Sequence, residues 1–160
     1  MALPNAVVDQ KKGNFSAAVT TTEIDARARL IGFQGDFTFD ERMVTFQDPP
    51  VQTAGLTERS WNVLGNVLPS PAGGPVKTLR ISAYSLDATP LSESGTLFQL
   101  NMSRVSKTAD PTQLLWVAPP DFVFIDADLN THKPGTALSG SVRSKESSQG
   151  LRLRLGEPIQ

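Results

Sequence analysis

The segment Leu30–Asp40, LIGFQGDFTFD, alternates between two kinds of side chain. Every second residue from position 33 to 39 is phenylalanine or glycine, and the residues between and after them are small, polar or acidic: Gln34, Asp36, Thr38 and Asp40. Successive side chains of a strand point to opposite faces of its sheet, so this pattern predicts a half-buried β-strand. We therefore expect a β-sandwich whose function lies on a sheet surface and not in a catalytic pocket.

Short alternating runs of this kind recur along the whole chain. Twelve glycines and twelve prolines leave few stretches that could hold three helical turns. Alternating or apolar runs occur at residues 15–20, 43–46, 61–67, 78–84, 95–103, 114–117, 121–125 and 137–142. Pro49-Pro50 is predicted to end the run that starts at residue 43, because proline cannot donate to a ladder. Many short strands separated by turn signals indicate an all-β sandwich or barrel.

The domain organisation follows from length and from one polar stretch. A chain of 160 residues fits a single domain. Residues 144–149 are polar and charged, and they separate a last alternating run, GLRLRLG, from the rest. We predict a sandwich domain over residues 1–143 and a polar linker with a C-terminal strand or tail over residues 144–160. The last run is either an ordinary strand of the domain's own sheet or an exchangeable strand that completes a neighbour's sheet by edge addition.

The bulk composition excludes several classes of function. Fifteen basic and sixteen acidic residues leave a net charge of −1, which argues against a nucleic-acid-binding protein. No apolar run approaches the roughly 20 residues that span a bilayer, so no membrane span is expected. Cysteine is absent, which excludes disulfides, thiolate metal sites and cysteine nucleophiles. The first ten residues have neither the charged nor the long apolar region of a signal peptide.

Residues for catalysis are scarce, and we expect no enzymatic activity. His132 is the only histidine, and its neighbours NTHKPG have the composition of an exposed loop. A Ser-His-Asp site would need this one residue as its base. Asp36 and Asp40 share a strand face, but their Cα atoms would be roughly 13 Å apart, which is too wide for a retaining glycosidase pair.

Asp126, Asp128 and Asn130 have the most metal-like spacing in the chain. Oxygen ligands at the first, third and fifth positions begin a calcium-binding EF-hand loop. The match then fails, because Thr131 stands where that loop needs glycine and Ala137 where it needs glutamate. A β-turn stabilised by Asp and Asn side chains explains the same residues. Both interpretations stay open: a structural turn, or a calcium site of another geometry.

Trp61, Trp116 and Tyr84 could form an aromatic platform for a polysaccharide. Both tryptophans lie in apolar runs, which favours core packing, whereas Tyr84 falls on the predicted outer side of its strand. A carbohydrate-binding module is therefore one alternative function.

Four motifs, taken in order, resemble those of the cohesin family, the β-sandwich receptors of cellulosomes and related bacterial surface systems. They are KGNFSAAV at residues 12–19, LIGFQGDFTFD at 30–40, ISAYS at 81–85 with SGTLFQL at 94–100, and FIDAD at 124–128 with SGSV at 139–142. The resemblance covers roughly residues 5–143. Gly32 and Gln34 stand where the best-known subclass has Asn and Asp, so its partner code is not reproduced.

The resemblance implies a fold, a function and a location. Cohesins are nine-stranded jelly-roll sandwiches that bind dockerins, small calcium-loaded helical modules, on a sheet face that includes the third strand. Carried over by position, the partner-binding residues would be Gln34, Asp36, Thr38, Arg80, Ser82 and Tyr84. We expect a non-enzymatic recognition module that binds a dockerin or a similar surface-anchoring partner, outside the cell or on its surface, with calcium belonging mainly to the partner. The alternative is a self-associating structural or filament subunit that uses terminal strand addition.

Overall fold

The computed structural model describes residues 1–8, 13–70, 73–105, 111–117 and 122–144. The predicted C-terminal strand at residues 150–156 lies outside these residues, and so does the tail beyond Ser144. No helix among the described residues is long and apolar enough to cross a membrane.

The described residues form eleven strands in two sheets, which confirms the predicted all-β sandwich. In chain order the strands are β1 (Asn5–Val8), β2 (Asn14–Ile24), β3 (Leu30–Asp40), β4 (Val44–Thr53), β5 (Trp61–Leu68), β6 (Val76–Ser85), β7 (Glu93–Arg104), β8 (Thr112–Trp116), β9 (Val123–Asp126), β10 (Thr131–His132) and β11 (Gly140–Ser144). Two 3₁₀ helices, Ala26–Ala28 and Gly55–Thr57, lie in the connections after β2 and β4.

The larger sheet has the order β1-β11-β8-β3-β6-β5, and β9 also pairs with β3 and carries β10 at its side. The smaller sheet has the order β2-β7-β4. Strand β1 runs parallel to β11, and the other pairs are antiparallel.

The aromatic side of β3 fills the space between the two sheets. Phe33 and Phe37 are fully buried, as the alternation predicts. The ring of Phe33 lies 5.6 Å from the rings of both Phe98 and Phe122 and 5.8 Å from that of Trp61, measured between centroids. Phe98 comes from the smaller sheet, so these contacts join the two layers. Burying aromatic rings of this size contributes a large part of the stability of a core.

Strand β4 differs from the prediction, which ended it before Pro49-Pro50. The strand continues to Thr53, with a register shift between Phe46 and Val51 that absorbs both prolines. It is an edge strand of the smaller sheet, where proline is tolerated because no further strand needs its missing N–H. Within the irregular stretch the Gln47 side chain donates to the carbonyl of Met102 at 2.9 Å, so a side-chain amide supplies one hydrogen bond to β7.

A candidate partner-binding face

The solvent-exposed side of β3, β6 and β5 forms one continuous surface, which we call the outer face. Antiparallel register places Ser82 beside Gln34 and Arg80 beside Asp36, and on the far side of β6 it places Leu64 beside Ser82. All six residues predicted to bind a partner lie on this face: Gln34, Arg80, Ser82 and Tyr84 are exposed, and Asp36 and Thr38 are half-buried.

Asp36 and Arg80 form a two-pronged ion pair across β3 and β6. The Nε and Nη2 atoms of Arg80 each donate to a different carboxylate oxygen of Asp36, both at 3.0 Å. The Asp36 side chain is only 13% exposed, whereas that of Arg80 is 58% exposed. Arg80 therefore covers the carboxylate, and the guanidinium is the group that this pair presents to solvent. The two side chains also line a depression of about 380 Å³, together with Gln34, Gly35, Ile81 and Ser82.

Tyr84 lies at the other end of the same stretch of β6. Its hydroxyl accepts a hydrogen bond from the side-chain amide of Asn62 on β5, at 2.9 Å. This contact holds the exposed ring against the face, because Asn62 is its direct register partner.

Exposed apolar side chains on the outer face and on the neighbouring strand β8 were not predicted, and Val76 on β6 is one of them, at 48% exposure. Leu64 on β5 is 50% exposed, and Leu115 on β8, the register partner of Thr38, is 46% exposed. The sequence indicated an apolar strand at residues 61–67 but assigned no face to its members. In the structure Trp61 and Val63 are buried, and alternation along β5 therefore places Leu64 on the opposite side.

Asp126, Asp128 and Asn130 form a tight turn between β9 and β10. Oδ1 of Asp126 accepts hydrogen bonds from the backbone N–H groups of Asp128 and Asn130, at 2.9 and 3.0 Å. Oδ2 of Asp126 lies 2.7 Å from Nε2 of His132, and the carboxylate of Asp128 is paired with Arg29 at 2.9 Å. The structure thus shows the Asp-stabilised turn that the spacing allowed. Within the described residues no three His, Cys, Asp or Glu side chains are grouped to hold a metal, and the calcium site stays a prediction.

Comparison with known proteins identifies the architecture. No family model and no curated protein matches the sequence. Among solved structures, a non-cellulosomal cohesin from the archaeon Archaeoglobus fulgidus superposes with a TM-score of 0.64 over 94% of each chain, at 14% identity. The third ScaC cohesin of Acetivibrio cellulolyticus, solved with the ScaB dockerin, superposes with a TM-score of 0.67 over 91% of this chain and 97% of that one, at 12% identity. This chain has a cohesin-like fold.

The solution structure of CaCohA2 from Clostridium acetobutylicum supports the same assignment. It is 20% identical, with a TM-score of 0.61 and 91% coverage of both chains. At identities this low the likeness establishes the cohesin-like fold, and the residues of each site have to be argued from this chain itself.

The turn of this cohesin-like domain gives a testable pH dependence. The pKa of Asp126 is lowered to about 2, first by the hydrogen bond with His132 and then by the backbone N–H of Asn130. An unfolded aspartate has a pKa of about 3.9. A carboxyl group whose pKa is lower in the folded state stabilises the fold above the unfolded pKa, and this contribution is lost as the pH falls. The Asp126→Asn variant should therefore have a lower free energy of unfolding than the parent protein. We expect this difference to be constant near pH 5 and to become smaller between about pH 4 and pH 2.

Urea unfolding at a series of pH values measures this deficit. Asp87 offers a comparison, because its pKa is also lowered to about 2, mainly by hydrogen bonds from Thr89. For Asp87→Asn, the difference in free energy of unfolding from the parent protein should also become smaller between about pH 4 and pH 2. A deficit of Asp126→Asn that stays unchanged down to pH 2 would contradict the ionised state of this carboxylate.

The aromatic platform proposed for carbohydrate binding is not present. Trp61 and Trp116 are each 7% exposed, and the indole N–H of Trp116 donates to the carbonyl of Leu138 at 3.0 Å. Both rings belong to the core of the cohesin-like domain, and of the three aromatic residues only Tyr84 faces solvent. The core packing that the apolar runs favoured for both tryptophans is confirmed, and the alternative of a three-ring platform does not apply, because the two indoles point between the sheets.

The two acidic side chains considered for catalysis each have an arginine partner. Asp36 is held by Arg80, and Asp40 accepts from Nε and Nη2 of Arg42 at 3.0 and 2.6 Å. The hydrogen bonds from Arg42 lower the pKa of Asp40. His132, expected in an exposed loop, is exposed but lies on β10 and contacts Asp126.

Proposed function

We propose that this domain is a protein-recognition module that binds a dockerin or a similar helical anchoring module through the outer face. The observation that carries the proposal is the clustering of exposed Arg80, Tyr84 and Leu64 on one sheet face of a cohesin-like fold. Calcium would then belong to the partner, and the setting would be extracellular or on a cell surface.

The composition of the outer face supports this proposal. Tyrosine and arginine are enriched among the residues that dominate binding energy at interfaces. On strand β6 the exposed Arg80 and Tyr84 lie on either side of Ser82, each two residues away from it. An interface of standard size buries about 800 Å² on each partner, an area that a face of several strands can supply. Leu64 on β5 and Leu115 on β8 add apolar contact area on either side of the paired strands β3 and β6.

Leu64→Arg tests the proposal at a side chain that the fold does not need to bury. We expect it to weaken binding by at least about tenfold, because it places a charge and a long side chain where an apolar contact is buried. The measurement is isothermal titration of the domain with a panel of calcium-loaded dockerin modules. Stability should change little, since half of the Leu64 side chain is already exposed.

Leu138→Arg is the matched control. Leu138 is 55% exposed and lies beside Ala2, away from β3, β5 and β6, so the same substitution should leave binding unchanged. If Leu64→Arg binds as tightly as the parent domain, the interface does not lie on the outer face. If no dockerin in the panel binds the parent domain, the proposed partner class is wrong.

A further inference from the structure

Strand β5 forms an edge of the larger sheet, where it pairs with β6 through all eight of its residues in one unbroken register. The backbone N–H of Leu86 donates to the carbonyl of Ser60 at 2.6 Å. In an antiparallel pair this contact means that position 60 and every second residue after it direct their main-chain groups toward β6. The residues at positions 61, 63, 65 and 67 therefore direct theirs away from the sheet.

These outward main-chain groups have no hydrogen-bond partner in the described part of the chain. Besides the ladder with β6, no described backbone group or side chain bonds to the main chain of residues 61–68. A row of unpaired N–H and C=O groups along a regular strand is a template for a strand of another chain.

The other sheet edges in the described residues carry features that oppose such pairing. Strand β4 contains Pro49-Pro50 and a register shift. Strand β2 has register shifts of its own and is bridged by Ala2 at Thr20. Strands β1 and β10 have four and two residues. Prolines, irregularities and short strands are the means by which natural sheets keep their edges apart. The sequence of β5, WNVLGNVL, has neither a proline nor a charged residue.

The chemistry of the β5 edge indicates what pairs with it. Leu64 is 50% exposed and Val67 is 44% exposed, so a strand that lies beside them has to be uncharged and apolar. A second copy of this chain presents such a strand, and two antiparallel copies of one strand are self-complementary about a two-fold axis. Cross-strand apolar pairs then add to the main-chain hydrogen bonds.

The register of such a pair follows from the positions of the free groups. A two-fold axis at Leu64 pairs residues 61, 63, 65 and 67 of one copy with residues 67, 65, 63 and 61 of the other, so all of them enter the ladder. An axis one or two residues later would place an outward residue opposite Pro69, which has no N–H to donate. With the axis at Leu64, this residue faces its own copy as a non-hydrogen-bonded pair, with Cα atoms about 4.5 Å apart.

We infer that this domain forms a two-fold dimer by antiparallel pairing of β5 with β5 of a second copy, with Leu64 at the axis. The inference does not depend on the proposed function. Leu64 keeps its side chain on the outer face, because pairing in the plane of the sheet leaves the alternation of β5 unchanged. The dimer joins two larger sheets into one and places two outer faces side by side.

A single cysteine tests the register, because the chain has no cysteine of its own. Under mild oxidation Leu64→Cys should form a disulfide-linked dimer, since Cα atoms about 4.5 Å apart lie within the roughly 4.4–6.8 Å that a disulfide spans. Leu138→Cys is the matched control, because Leu138 is 55% exposed and lies beside Ala2, away from β5. It should give a much lower yield on non-reducing gels.

A charge placed on the edge tests the association without a covalent bond. Val67→Lys should weaken dimer formation by at least about tenfold, because each copy would bring a charge against an apolar strand. Val7→Lys makes the same change on β1, the opposite edge of the larger sheet, where Val7 is 53% exposed, and it should leave the association unchanged. Sedimentation equilibrium at protein concentrations up to about 1 mM measures both. Thermal unfolding verifies that each variant folds.

Hydrogen exchange of the parent domain needs no substitution. On association, the amides of residues 61, 63, 65 and 67 should gain protection. The amides of residues 62, 64, 66 and 68, which already donate to β6, should change little.

Three outcomes would overturn the inference. The first is a parent domain that stays monomeric up to about 1 mM. The second is a disulfide yield of Leu64→Cys no higher than that of Leu138→Cys. The third is association that Val7→Lys abolishes and Val67→Lys leaves intact, which would place the contact at β1. All these measurements use the domain without a dockerin, so each of these results leaves the proposed function as it stands.

Discussion

Phe33→Ala is expected to lower the free energy of unfolding by about 3–5 kcal/mol. Phe33 is completely buried, and its ring contacts aromatic rings of both sheets, including Phe98 of β7 and Trp61 of β5. Truncation leaves a cavity that rigid strands on both sides cannot close, so the lost contacts are not replaced. This is a large fraction of the 5–15 kcal/mol that stabilises a typical domain.

Urea denaturation followed by tryptophan fluorescence measures the loss, because Trp61 stacks on Phe33 at 5.8 Å. Phe15→Ala is the matched control, since Phe15 is only half-buried at the start of β2 and should cost clearly less. If Phe33→Ala does not fold, Phe33→Leu keeps most of the volume and should still be destabilised. Equal losses for Phe33→Ala and Phe15→Ala would show that Phe33 is not the centre of the core.

Gly140→Ala is expected to destabilise the domain by about 3 kcal/mol, at the upper end for an inserted methyl group. A Cβ at Gly140 would collide with the carbonyl oxygen of Pro4 and lie 2.9 Å from the carbonyl carbon of Leu3. These are backbone atoms, so relief requires the whole segment before β1 to move. That segment buries Leu3 and is fixed by the hydrogen bond from the N–H of Ser141 to the carbonyl of Pro4, at 3.0 Å.

Gly135→Ala makes the same chemical change five residues away. A Cβ at Gly135 would meet nothing within 4 Å, so this variant should be neutral or slightly more stable than the parent. Hydrogen exchange should show faster exchange in β1 and β11 of Gly140→Ala, while β3 and β7 keep their protection. A Gly140→Ala protein as stable as Gly135→Ala would show that the chain can separate β1 from β11 at no cost.

The sequence predicted the elements whose side chains alternate strictly. Strand β3 has the predicted bounds, and its phenylalanines are buried because a period of two leaves a half-buried strand only one way to face the core. The prediction failed at Pro49-Pro50. A proline ends a strand only where a neighbouring strand would accept a hydrogen bond from the N–H that proline lacks, so the outcome depends on the position of the strand in its sheet. Strand β4 has β7 on one side in the sheet order, and this edge position cannot be read from residues 43–53 alone.

The candidate site was predicted as a set of residues but not as an arrangement. Alternation placed Gln34, Asp36, Arg80 and Tyr84 on outward positions, and they are there. It did not predict that Asp36 is covered by Arg80, because this contact depends on the register between strands 44 residues apart. The exposure of Leu64 depends likewise on which side of β5 the rest of the sandwich covers.

Local pattern determined the class of fold and the side of each strand that is buried, because side-chain alternation is a property of the strand itself. Only the tertiary structure decided the order of the strands, the register between them and the partners of each charged group, because these depend on contacts between residues distant in the chain. The segment Leu30–Asp40 shows both. Its alternation specifies a buried aromatic side and a polar side, while its pairing with β6 and β8 determines that Asp36 is engaged by Arg80 and that the guanidinium faces the solvent.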